Sequence, residues 1–155
     1  MNKFYKKGIT VLEIVVVVTI LGILIVIIFP SFSKMRESQV IKNAVEDVKS
    51  VLHSAKSQSL ASIDSSEYGV YFQSDKIIIF KGEIFSVESP DNRITEIILP
   101  AGISDITLDG VSSSTGDLYF KRLSGTPSKT GTVTISTSSI SKIITISGTG
   151  TISTD

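Results

Sequence analysis

Glu13 is a carboxylate set inside an otherwise uncharged apolar run, Ile9 to Phe29, with Lys6-Lys7-Gly8 immediately before it. A carboxylate in a membrane-length helix costs about 2.5 to 3.5 kcal/mol at the bilayer centre and less near an interface. Two chemistries answer that cost. Glu13 pairs with a cation inside a low-dielectric bundle, or it snorkels to the headgroups that its place near the helix start brings within reach. Other residues offer weaker chemistry. His53, the one histidine, lies beside an apolar stripe at helical spacing, where a structural role outweighs that of a general base. Asp105, Asp109 and Asp117 could suggest a cation site, but their spacing follows no calcium-loop rule, and turn aspartates explain them better. Lys121-Arg122 with Lys129 reads either as a small basic patch for a nucleic-acid ligand or as cations guarding a strand edge, the latter favoured. There is no cysteine, so a His/Cys metal site is excluded and any secreted domain must be held by packing. The Ser and Thr residues after Gly110 have no nucleophile-elbow context. These features describe a protein that is not an enzyme and carries no cofactor or metal.

The element that positions Glu13 is an apolar run of 21 residues. As a helix it reaches about 30 Å, the thickness of a hydrocarbon core. A cleaved secretory signal would have a shorter apolar core ending in a small-x-small site, whereas this run ends at Phe29-Pro30-Ser31-Phe32. Lys3, Lys6 and Lys7 precede it, which keeps the N-terminus in the cytoplasm and sends the rest across a single-pass membrane segment. Without those three lysines the 15 basic and 15 acidic side chains become 12 against 15, a balance of −3 that argues against strong attraction to DNA.

After Pro30 the pattern becomes periodic. Ile41, Ala44, Val45, Val48, Val51, Leu52 and Ala55 recur at three- and four-residue steps, which predicts an amphipathic helix facing a core. Joined to the apolar run it makes one helix from about Ile9 to Ser62, roughly 80 Å long. Pro30, with Gly22 before it, predicts a bend near the proline. Strands are expected at Tyr68–Phe72, Lys76–Phe80, Glu83–Val87, Ile94–Leu99, Ile103–Leu108, Asp117–Leu123, Gly131–Thr137 and Ser141–Ser147. Turns fall at Asp109-Gly110, Ser124-Gly125 and Gly148-Thr149-Gly150. The fold class is therefore α+β, a long N-terminal helix packed on a C-terminal antiparallel β-sheet head. Its segments are a leader over 1–8, a transmembrane and assembly helix over 9–29, an amphipathic helix over 30–62 and a β-rich head over 63–155.

The stretch Lys7-Gly8-Ile9-Thr10-Val11-Leu12-Glu13, followed by an apolar run with Gly22 and Pro30, resembles the signature of type IV pilins and pseudopilins. The resemblance implies that a membrane prepilin peptidase cuts after Gly8 and methylates Ile9, which stands where the family usually has phenylalanine. It makes Gly8 and Ile9 the processing positions and Thr10, Glu13, Gly22 and Pro30 the assembly positions. It also implies a partner for Glu13, the freed α-amine of a neighbouring subunit, and an extensible segment from Gly22 to Pro30. The head pattern looks most like an H-type minor pseudopilin or a minor type IV pilin, on Ser54-Ala55-Lys56-Ser57-Gln58-Ser59-Leu60-Ala61, Gly69-Val70-Tyr71-Phe72, Leu118-Tyr119-Phe120 and the stretch Ile143 to Ile152. It lacks the disulfide of many pilins and the calcium-bearing loop of major pseudopilins. The implied partners are the peptidase, other pilin or pseudopilin subunits, an inner-membrane assembly platform and, before assembly, membrane lipid. The function expected is that of a structural subunit of a type IV pilus or type II secretion pseudopilus. The alternative is a minor tip subunit whose head binds a ligand, DNA or a secreted substrate.

Overall fold

The computed structural model describes residues 9–155, and of residues 29–33 the backbone alone. The helix α1 spans Val11–Leu60 and passes Gly22 and Pro30 without interruption. It begins two residues later than expected because Thr10 acts as its cap: the Thr10 hydroxyl accepts the Glu13 N–H at 3.2 Å, and the Thr10 carbonyl accepts the Ile14 N–H at 3.2 Å. It ends two residues earlier because Ser62 turns the chain at φ 52°. The chain divides into two compact units, the first ending at Arg36 and the second covering Glu37–Asp155.

In the first unit, Val11–Ile28 is long and apolar enough to cross a membrane, with mean hydropathy 3.3 and none of its residues buried. Nothing within the unit covers those side chains, so this stretch has the composition of a core without being one.

The second unit carries nine strands in two antiparallel sheets, where one sheet was expected. The first orders β3 (Arg93–Glu96), β2 (Lys76–Lys81), β1 (Tyr68–Phe72) and β6 (Gly116–Phe120). The second orders β5 (Val111–Ser113), β4 (Gly102–Leu108), β7 (Gly131–Ser136), β8 (Ser141–Ile146) and β9 (Ile152–Thr154). Both turn an apolar face to the stripe Ile41, Ala44, Val45, Val48, Val51, Leu52 and Ala55 of α1, and the three layers share one core. Strand alternation supplies that face at Val70 and Phe72, Ile77 and Ile79, Leu118 and Phe120, Val133 and Ile135, Ile144 and Ile146. Ile103 and Ile106 break the period of two, yet both are buried, because a register shift against β7 between Ile103 and Asp105 inserts one residue.

Three expectations need correction. Glu83–Val87 is not a strand. Gly82 turns the chain at φ 101°, and Phe85 folds onto the outer face of the first sheet, stacking on Tyr71 at 4.0 Å and meeting Phe80 edge-on at 5.6 Å. This makes a small second apolar layer. Phe80 is buried there by lying across Gly69, its register partner, where a Cβ would stand 2.2 Å from the ring. The expected strands Ile94–Leu99 and Asp117–Leu123 also shorten. The first ends at Glu96, and the second ends at Phe120 because a tight turn follows, with the Lys121 N–H donating to the Thr126 carbonyl at 2.8 Å.

Candidate functional site

The processing positions straddle the limit of what the structure describes. Gly8 lies outside the described residues, and Ile9 and Thr10 are exposed, non-helical residues ahead of α1. Glu13 sits in the first turn, where its charge complements the positive end of the helix dipole. Thr10-x-x-Glu13 is thus the first half of a capping box, a local role for both residues beside the one the resemblance implies. Among the described residues the Glu13 carboxylate makes no hydrogen bond or ion pair. Gly22 has open space where a Cβ would stand, with nothing among the described residues beyond its own turn of helix within 4 Å. Pro30 lies within the helix, and its side chain is outside the described set.

The basic residues of the head are spread out rather than pooled. Lys129 and Lys121-Arg122 serve opposite ends of β6. Lys129 donates to the Asp117 carbonyl at 2.9 Å and its carboxylate at 3.2 Å, beside the start of the strand. Arg122 follows the far end and donates to the Ser65 carbonyl at 3.0 Å. Over a strand of this length the two ends stand about 13 Å apart.

No family model, curated protein or solved structure matches the chain.

The three aspartates likewise go to separate local tasks. Asp105 accepts from the hydroxyls of Ser112 and, at 2.9 Å, of Thr107, and those bonds hold its carboxyl below the usual carboxylate range. Asp109 accepts the Thr130 N–H at 2.9 Å, and Asp117 takes Lys129. No group of three metal-ligating side chains occurs among the described residues. His53 is exposed on the solvent side of α1.

Two polar anchors carry no sequence motif. Glu37 accepts hydroxyl protons from Thr137 at 3.5 Å, Ser138 at 3.2 Å and Ser139, so it fastens the β7–β8 turn to the helix. Ser59, fully buried, accepts the Tyr68 N–H at 2.9 Å, while its own carbonyl accepts the Leu123 N–H at 3.0 Å. A signal for Ser59 did exist. It continues the stripe of Leu52 and Ala55 at a four-residue step, and a serine in a buried stripe calls for a backbone partner.

A cluster at the junction of α1 and β1 is electrostatic. The Lys81 ammonium bonds Asp64 at 3.1 Å and holds its carboxyl below the ordinary range, and the same bond raises Lys81. Tyr68 is pushed up first by burial and then by the charge of Asp64.

Proposed function

We propose that this chain is a pilin-like structural subunit, cleaved after Gly8 by a prepilin peptidase and assembled through the N-terminal part of α1 into a type IV pilus or a type II secretion pseudopilus. One observation carries the reading. The span Val11–Ile28 exposes every side chain, and Glu13 is its only ionic residue. Such a surface needs another solvent, first lipid and then the apolar helices of neighbouring subunits. Glu13 needs a cation, and cleavage before Ile9 creates one on a neighbour. At short range in a low-dielectric bundle the two charges attract strongly, while either alone is stranded. The subunit is held in the cytoplasmic membrane with its N-terminus inside and its β-rich unit outside until it is recruited.

The reading of Lys121, Arg122 and Lys129 as a basic patch for DNA at a filament tip has less support, because Lys129 and Arg122 stand at opposite ends of β6 and each is engaged within the chain. The experiment is mass and N-terminal analysis of membrane-extracted protein, made with and without the peptidase. Peptidase-dependent loss of Met1–Gly8 is expected, with Glu13→Leu retained in the membrane but defective in filament formation. A chain left uncut by active peptidase, or wild-type filament yield from Glu13→Leu, would remove the proposal.

A further inference from the structure

A cleft of about 340 Å³ opens between the two sheets, where the β4–β5 hairpin faces the start of β6. That volume falls in the range of small-molecule sites. Its floor is apolar, made of Ile106 and Leu108, with the 69 % exposed Val111 as one wall. Gly116 keeps the floor closed, since a Cβ there would press on Ile106 and Leu108 at 3.1 Å. The rim is polar and carries Asp109, Ser113, Thr115, Asp117 and Lys129.

Each rim carboxylate has one oxygen anchored. Asp109 Oδ1 takes the Thr130 N–H at 2.9 Å and its hydroxyl at 3.3 Å, and Asp117 Oδ1 takes Lys129 at 3.2 Å. The other oxygen of each has no bond within the described residues. Lys129 uses two of its three protons, on the carbonyl and the carboxylate of Asp117. The residues lining the cleft therefore carry two anchored carboxylates, one ammonium and two hydroxyls around apolar side chains.

The mixed signs decide the ligand class. Two carboxylates repel phosphates and other anions, while Lys129 repels cations and already satisfies Asp117 in part. An apolar ligand would strand the rim groups. A ring with a C–H face and several hydroxyls meets every requirement: hydroxyl protons to Asp109 and Asp117, a ring oxygen to Lys129, and the C–H face on Leu108 and Val111. We propose that this cleft binds a single uncharged sugar ring of a glycan.

Sugar binding here would stand whether or not the chain is processed at Gly8. The test is ligand-observed NMR on the full chain in a zwitterionic detergent without sugar headgroups, using D-glucose, D-galactose and N-acetylglucosamine. At least one ring should saturate with a dissociation constant of about a millimolar, as suits a ligand of so few atoms. Asp109→Asn should weaken it about tenfold through the lost charged acceptor. Ser113→Arg, at an exposed rim position, should abolish it with thermal unfolding unchanged, and Lys121→Gln, outside the cleft, should leave it intact. Absence of saturation by all three sugars would overturn the proposal, as would binding indifferent to both rim variants. Binding of n-butylammonium or calcium that Asp109→Asn abolishes, with no sugar signal, would give the cleft to cations and overturn it equally.

Discussion

The two halves of α1 use similar apolar residues to opposite ends. Between Val11 and Ile28 apolar side chains occur on every side of the helix, and all are exposed. Between Ile41 and Ala55 they form a stripe, and the whole stripe is buried while Lys42, Asn43, Glu46 and His53 stay in water. An all-round apolar helix must find partners beyond its own unit, whereas a striped one is completed by the sheets that follow it in sequence. The contrast teaches that apolar content alone does not mark a core. The angular distribution of that content tells which half the fold completes and which half it leaves exposed.

The sharpest way to break this comparison is a matched pair of truncations. Leu52→Ala removes a fully buried side chain and should lower stability by about 2 to 5 kcal/mol in denaturant unfolding. Leu24→Ala, in the exposed half, should leave that midpoint within about 0.5 kcal/mol. Equal effects would mean that apolar content counts for stability regardless of its angular distribution. Next in size, Ser59→Ala leaves the buried Tyr68 N–H without its acceptor and should cost about 1 to 3 kcal/mol by the same assay. Phe85→Ala uncovers the outer apolar layer and removes the stack on Tyr71. A loss of about 0.5 to 1.5 kcal/mol is expected from the aromatic contact alone, with a change in near-ultraviolet circular dichroism.

The smallest effect concerns pH. Asp64 has its pKa depressed, so its contribution is present above its unfolded pKa and is lost as pH falls through the depressed folded value. Lys81 has its pKa raised, so its contribution is present below its unfolded pKa and is lost as pH rises through the raised folded value. The difference in melting temperature between wild type and Asp64→Asn should therefore be a plateau around neutrality that vanishes at both extremes. A difference independent of pH would show that the pair acts through packing. The effect is small because Asp64 is open to solvent and Lys81 is only partly covered.

Much of this architecture was legible, for physical reasons that vary with the element. The stripe from Ile41 to Ala55 is read from period alone because three buried layers leave it no freedom. β7 and β8 are read from alternation against the core, and β2 from an unbroken apolar run that is buried on both faces. Glu83–Val87 alternates just as well and is not a strand, because Phe85 is needed as a cover for Phe80, and a cover looks like a strand in sequence. β5 was overlooked although Asp109-Gly110 announced it: both residues have positive φ, 49° and 81°, the two-residue hairpin that returns the chain onto β4. The division into two sheets was hidden because nothing in local alternation says which strand neighbours which. Of the site residues, Glu13 stood out through the cost of its charge. The hydroxyls around Glu37 did not, and Asp109, Asp117 and Lys129 were singled out only in separate groups, since nothing in the sequence shows that the register brings them to one cleft.

The Thr10 cap has a consequence for maturation. Because the helix starts at Val11 and its cap lies on Thr10, the proposed scissile bond after Gly8 falls upstream of every hydrogen bond that defines α1. The described residues on the product side of that bond, Ile9 and Thr10, precede the first turn, so the proposed cut would leave the Thr10 cap in the chain. If the proposed processing occurs, it would be an electrical edit, placing a positive charge on Ile9, two residues ahead of the start of α1.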